Sequence, residues 1–291
     1  MRSVSRRTFL GSSVAAASLL ASATSGLARA RGDKMNFGLV TYQWGKDWDL
    51  PTLIANCEKA RALGVELRTT HAHGVEPTLD KKQRAAVRER FADSEVELVG
   101  IGRNERYDNP DPAIVKKAIE ASKAFIRLSH DVGGTGVKVK PDRFYPNVPH
   151  EKTIEQIGRS LNELGKYGEG FGQQIRLEVH GQCAELPTIK AIMDVADHRN
   201  VALCWNSNAQ DLQGKGLADN FGLVRDRFGA TCHVRELDSP DYPYQQLINL
   251  LVQTDYDGWL LLEASSKPQD RVAALARQVK LFKRMVAQAQ G

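Results

Sequence analysis

Ile175-Arg-Leu-Glu-Val-His180, Val201-Ala-Leu-Cys-Trp-Asn206, Ala230-Thr-Cys-His-Val-Arg235 and Trp259-Leu-Leu-Leu-Glu263 are four short apolar runs, each stopping at a polar residue. Read as successive parallel strands, they bring Glu178, Asn206, His233 and Glu263 to one rim, an oxygen- and nitrogen-rich pocket suited to a divalent cation. Upstream, similar strands are predicted over Asn36–Tyr42, Val65–Thr70, Val96–Gly102 and Val137–Lys140. Eight strands alternating with amphipathic helical runs predict an α/β fold, a closed (β/α)8 TIM barrel. A doubly wound open sheet is the competing architecture. It would carry a Gly-rich phosphate turn after its first strand, where this chain reads Tyr42-Gln-Trp-Gly-Lys-Asp-Trp48.

The helical segments carry their own punctuation. Asp49-Leu-Pro-Thr starts one with proline in its first turn, and Ala62-Leu-Gly64 is expected to end it at the glycine. Asn109-Pro-Asp-Pro112 opens a long helix running to Gly133-Gly134. Glu151 to Gly170 forms another, with Ile154, Ile157, Leu161 and Leu164 on one face. The stretch from Pro268 to Gln290 closes the outer ring.

Residues 1–30 read as a leader outside this fold. Ser5-Arg-Arg-Thr-Phe-Leu10 is a twin-arginine pattern, followed by an Ala- and Ser-rich apolar stretch and a small-residue cleavage site at Ala28-Arg-Ala30. Its Ser, Thr and Gly content dilutes the stretch too far for a stable membrane span. The expectation is a twin-arginine signal peptide over 1–30, read by the twin-arginine export machinery. An exported, periplasmic barrel over 31–291 would follow, a length one such barrel fills. The chain has 291 residues with 40 Lys and Arg against 35 Asp and Glu, and a pI near 9.0. Arg2, Arg6, Arg7 and Arg29 all lie in the leader, so the remainder is close to neutral. No long Lys/Arg run survives there, which argues against nucleic acid as a partner. Cys57, Cys183, Cys204 and Cys232 show no CxxC spacing, and Cys204 and Cys232 read as small buried hydrophobes in strands.

Strand parity decides which side chains meet. Arg176, Glu178 and His180 share one face of their strand, with Leu177 and Val179 opposite; His233 and Arg235 likewise oppose Cys232 and Val234. Leu260 and Leu262 are expected to pack on helices, with Glu263 facing the barrel axis. Parallel strands are usually apolar on both faces, and catalysis at the C-terminal rim explains the exceptions. Lys138 and Lys140 share a parity and face either the pocket or a salt-bridged interior. His71 and His73 line the same rim or form a polar loop. Trp44, Trp48 and Tyr107 in rim loops either offer aromatic faces for ligand stacking or pack beneath their loops.

The segments Gly64-Val-Glu-Leu67, Leu177-Glu-Val-His180, Trp205-Asn206, His233-Val-Arg-Glu236 and Leu262-Glu263 together resemble the xylose-isomerase-like TIM barrels of the sugar isomerase and epimerase family. The resemblance spans essentially all of 31–291. It implies one divalent metal ion (Mn, Mg, Co or Zn) held by Glu178, Asn206, His233 and Glu263, with Asn206 standing where the family has an aspartate. An amide oxygen still ligates a hard cation, at lower affinity, and Asn208 is a substitute ligand. The same resemblance implies Glu178 and Glu263 as a catalytic acid/base pair acting on a carbohydrate substrate. Arg235 becomes an oxyanion or hydroxyl contact and His180 a substrate-orienting donor, with Asn208, His71 and Trp44 completing the substrate-binding set.

Three function classes follow. The first is an exported, metal-dependent sugar isomerase or epimerase that abstracts a proton next to a sugar carbonyl, with a lyase or hydratase on 3-keto sugars or glycosides as its near alternative. The second, motivated by Asn206, is a non-catalytic carbohydrate-binding barrel. A phosphodiester hydrolase would need more strand-end histidines and aspartates and a basic groove.

Overall fold

The computed structural model describes residues 32–291, so the leader expected over 1–30 lies outside the described residues. Strands and helices alternate throughout: β1 (Asn36–Val40), α1 (Leu50–Ala60), β2 (Gly64–Arg68), α2 (Lys81–Ala92), β3 (Glu97–Arg106) and α3 (Pro112–Val132). Then come β4 (Gly136–Lys140), α4 (His150–Glu169), β5 (Gln174–Glu178), α5 (Leu186–Val195), β6 (Val201–Asn206), α6 (Leu217–Val224), β7 (Phe228–Val234), α7 (Tyr244–Gln253), β8 (Trp259–Leu262) and α8 (Arg271–Gln290). Each strand pairs in parallel with the next, and β1 pairs with β8, closing an eight-stranded barrel. The expected (β/α)8 architecture is observed.

Local chemistry sets the helix ends. Asp49 caps α1 by accepting from Thr52 N–H at 2.9 Å, with proline in the first turn. That helix ends earlier than the glycine expected to stop it: Arg61 takes the left-handed conformation at φ 60°, and Gly64 begins β2. A side chain at Gly64 would collide with the Trp259 ring, so its glycine answers a packing need. Asp80 and Gln83 form a reciprocal capping box on α2. Asp111 and Pro112 open α3, and Gly133 closes it at φ 91°. No helix of the described residues is long and apolar enough to cross a membrane.

The main apolar core lies between the sheet and the helices, where Leu177, Val179, Cys232, Val234, Leu260 and Leu262 pack against residues such as Leu161, Ile189, Leu247 and Leu275. All four cysteines are free and buried. A second, much smaller cluster of Val40, Val99 and Leu261 sits apart from it. These are the opposite parity to the core-facing residues, so they plug the barrel interior. Polar side chains fill much of the rest: Glu66, Lys138, Arg176, Glu178 and His233 are all buried. Uncompensated burial of any of them costs several kcal/mol, on the order of 1–3 for a lost hydrogen bond and more for a charge, so each demands a partner or a purpose.

Candidate active site at the C-terminal rim

Glu178 is the last residue of β5, Asn206 the last of β6, His233 the penultimate residue of β7, and Glu263 follows β8 directly, tied by its N–H to Val234 O at 2.7 Å. Ligand atoms of Glu178, His233 and Glu263 all lie within 4.8 Å of one another. Asn206 joins through its amide, which donates to Glu178 Oε1 at 2.9 Å. Its nitrogen, rather than its oxygen, faces the carboxylates.

The other Glu178 oxygen is taken by Lys138, whose Nζ donates to Oε2 at 2.6 Å; both side chains are almost wholly buried. Lys140 Nζ stands 3.9 Å from the same oxygen. Burial alone would push the Glu178 carboxyl up, but the Lys138 ammonium and His233 outweigh it and hold it well below the ordinary carboxylate range. Burial likewise opposes charge on Lys138, and Glu178, Glu66 and Glu263 reverse the balance, raising it above an ordinary lysine. For Lys140 burial prevails: with repulsion from Lys138 added, it falls below an ordinary lysine despite the pull of Glu178.

His233 is fully buried, and neither ring nitrogen has an aligned hydrogen bond. Nδ1 looks toward Glu178 Oε1 at 3.7 Å and Nε2 toward Glu66 Oε1 at 3.3 Å. Burial disfavours the imidazolium, yet Cys204 and the neighbouring carboxylates, Glu66 foremost among the acids, raise His233 well above an ordinary histidine. Glu66 is held below the usual range, since His233 and Lys138 outweigh its complete burial. A histidine with one nitrogen toward converging carboxylates and the other backed by a buried acid is a common metal-ligand arrangement. Two carboxylates and an imidazole also suit Mn, Co, Zn or Mg. The residues therefore fit a divalent ion, with Glu178, His233 and Glu263 as donors.

The flanking rim is ordered around Asp142. Its carboxylate accepts from Arg106 at 2.5 Å and contacts His180 Nδ1 at 2.8 Å, while His180 Nε2 meets Lys140 Nζ at 3.1 Å. Asp142 adopts φ 65°, and Gly181 adopts φ 71° against the Asp142 carbonyl, where any Cβ would collide. The Asp142 carbonyl also accepts from Gln182 N–H at 2.7 Å, joining the segment after β4 to that after β5.

Several expected site residues serve the scaffold. Asn208 donates its amide to Val179 O at 2.8 Å and Asn206 O at 3.0 Å, which ties β5 to β6 and leaves only its oxygen for any ligand. Trp44 is buried and donates Nε1–H to Ser266 O at 2.8 Å; Tyr107 is buried against Ser122 at 2.7 Å. Neither presents a face to a sugar. Trp48 is also buried, beneath the Arg271 guanidinium 5.0 Å from its centroid. His73 contacts Arg68 O at 2.7 Å and accepts from Val75 N–H at 3.0 Å, a loop-building role. His71 stays half-buried, its Nδ1 3.2 Å from Thr41 Oγ1, and burial with His73 and Arg68 nearby lowers it to about 4. The Arg235 side chain is exposed beyond the end of β7.

Sequence reasoning gave no role to Glu66 or Asp142. Glu66 announces itself as a lone acid inside the apolar Gly64–Leu67 run; Asp142 follows Pro141 in a loop that has no periodicity to read.

A surface concavity on the outer helices, lined by Lys81, Arg84, Arg88, His130 and Asp131, holds the Arg84–Asp131 pair at 2.8 Å. The rim is where the chemistry lies.

Comparison with known proteins agrees on the scaffold. The xylose isomerase-like TIM barrel family model matches residues 54–285. No curated protein sequence shows a significant match. Among solved structures, 3-keto-D-glucoside 4-epimerase YcjR from E. coli superposes with a TM-score of 0.72 at 13% identity, over 86% of this chain and 99% of that one. L-ribulose 3-epimerase gives 0.74 at 15% identity, over 90% and 96%. IolI protein with a bound zinc atom gives 0.72 at 16%, over 87% and 99%. At such identities the likeness speaks for the fold, and the family match covers most of the chain: it belongs to the xylose isomerase-like TIM barrel family.

Proposed function

We propose that this chain is a sugar isomerase or epimerase-type enzyme that abstracts a proton next to a sugar carbonyl. The observation that carries this reading is the convergence of Glu178, His233 and Glu263 within 4.8 Å at the barrel mouth. Among the described residues no side-chain hydrogen bond holds the Glu263 carboxylate, and it is only partly buried. It is therefore the acid free to take a substrate proton. Glu178, bound through both oxygens, acts as acceptor or donor on the opposite face only once a partner releases it. The rim ammonium of Lys140, beside His180, is placed to donate toward the enediolate oxygen, where preorganised donors act most strongly. A divalent ion held by Glu178, His233 and Glu263 would add Lewis-acid polarisation of the carbonyl.

Similar solved structures include epimerases named for 3-keto-D-glucoside, L-ribulose and D-allulose, which makes ketoses and 3-keto glycosides the first substrates to try. The purified protein, with and without added Mn²⁺, should exchange a substrate C–H proton with heavy water, read by NMR. Tight sugar binding with neither exchange nor turnover would favour the carbohydrate-binding barrel instead. The twin-arginine leader over 1–30 and an exported location belong to the same proposal. N-terminal sequencing of periplasmic material should give a start near Arg31, and an intact leader there would count against it.

A further inference from the structure

Resting on the reading of the triad as a cation site, we propose that Lys138 is a built-in competitor of the divalent ion: its ammonium occupies Glu178, and metal loading is an exchange of one cation for another. Three observations carry this. The ammonium donates to Glu178 Oε2 at 2.6 Å, and that oxygen belongs to a metal-ligating carboxylate. The remaining Glu178 oxygen accepts from the Asn206 amide at 2.9 Å, so both oxygens are engaged. Finally, the charges are already nearly balanced. With His233 counted as the neutral imidazole that a metal ligand must be, Glu66, Glu178 and Glu263 face Lys138 and Lys140, leaving one net negative charge before any ion is added. A divalent ion added with Lys138 in place would turn a mildly anionic, buried site into a cationic one, which a poorly solvated interior penalises heavily. Withdrawal of the ammonium from Oε2 removes that penalty and frees a carboxylate oxygen in the same motion. Gly102 packs directly against this pair: a Cβ there would lie 2.6 Å from Glu66 Oε1 and 3.5 Å from Lys138 Cε, so only glycine leaves both side chains where they stand. By this account the protein distinguishes an empty, ion-paired state from a loaded one, and its affinity for metal is set by a residue that is not a ligand.

The test is Mn²⁺ binding by the full chain, measured by equilibrium dialysis and by the loss of the free-ion EPR signal. Wild type is compared with Lys138→Met and with Lys138→Gln, which keeps a donor for Glu178 without the charge and serves if the methionine variant does not fold. Either variant should bind one Mn²⁺ tighter than wild type by on the order of 10–100-fold, the scale on which residues around a metal site tune affinity. A wild type without measurable binding beside a variant that loads one ion is the strongest form of the expected result. Equal affinities, or weaker binding in the variants, overturn the competition and leave the metal triad standing. Absence of binding in all three proteins overturns both the competition and the triad as a metal site; deuterium exchange on sugars by wild type then reports separately on the proposed enzyme.

Discussion

Lys138 and Arg176 face each other across the β4–β5 ladder as register partners, and both are buried cations inside the barrel, yet they point to opposite ends and meet different company. Arg176 turns toward the N-terminal end, where its donors meet Val99 O at 3.0 Å, Thr135 Oγ1 at 2.7 Å and Gln174 Oε1 at 2.9 Å. Every acceptor is neutral. Its guanidinium fits because Gly100 and Gly136 present no side chains: Cβ atoms there would come within 2.9 Å of Arg176 Nη1 and Cζ. Lys138 turns toward the rim, among three carboxylates and a histidine whose nitrogens lack aligned partners. One end has hydrogen bonds matched to its donors, and the other has charge in excess of its hydrogen bonds. A saturated neutral network holds a shape, whereas an under-satisfied charged cluster is available to a ligand.

That contrast predicts which variants lose chemistry and which lose the fold. The largest effect should come from Glu263→Gln, which removes the free proton acceptor while keeping an oxygen at the rim. Substrate deuterium exchange should drop by about 10²–10⁴-fold with the unfolding midpoint nearly unchanged. A matching loss of stability would place Glu263 in the scaffold with Arg176. Arg176→Met should do the reverse, since it removes the guanidinium's hydrogen bonds to Val99 O, Thr135 Oγ1 and Gln174 Oε1 together in a closed interior. A loss of about 3–5 kcal/mol in chemical denaturation is expected.

Asp211 is an intermediate case: it is buried, with Oδ2 accepting from Tyr242 at 2.7 Å and Asn208 N–H at 2.9 Å, and Oδ1 without a partner. Burial, only partly offset by those two hydrogen bonds, pushes it from 3.8 up to about 7. The folded state thus holds the proton more tightly than the unfolded chain. Its contribution is fully present below about pH 3.8 and is lost as pH rises through about 7. Asp211→Asn should therefore gain on wild type between pH 4 and 8, by at most about 4 kcal/mol. A pH-independent difference would show that Asp211 is ionised in the fold. The smallest effect is Gly100→Ala, whose Cβ would sit 2.8 Å from Gly136 O as well as against Arg176. Overpacking of this kind costs about 1–3 kcal/mol and should leave rim chemistry intact.

The barrel and three of its rim donors were legible because both follow from periodicity. Alternation along Ile175–Glu178, Thr231–Val234 and Trp259–Leu262 separates sheet-packing from interior-facing residues, and closure then forces the strand ends together. Charge pairing was harder to read. Parity placed Lys138 inside without saying which way its long side chain would run, and register partners of identical parity run opposite ways. Loop residues were least legible: Trp44 and Tyr107 had aromatic faces suited to sugars, and the structure uses them as packing beneath their loops. The burial of an indole depends on the path of a loop that local sequence does not determine.

The left-handed backbone of Asp142, pressed against Gly181, bears on how such a scaffold diversifies. The segments after β4 and β5 share one carbonyl and one carboxylate, so neither can be lengthened or exchanged without dislodging its neighbour. For recombination or library construction they form a single cassette, to be grafted as a pair with Gly181 retained.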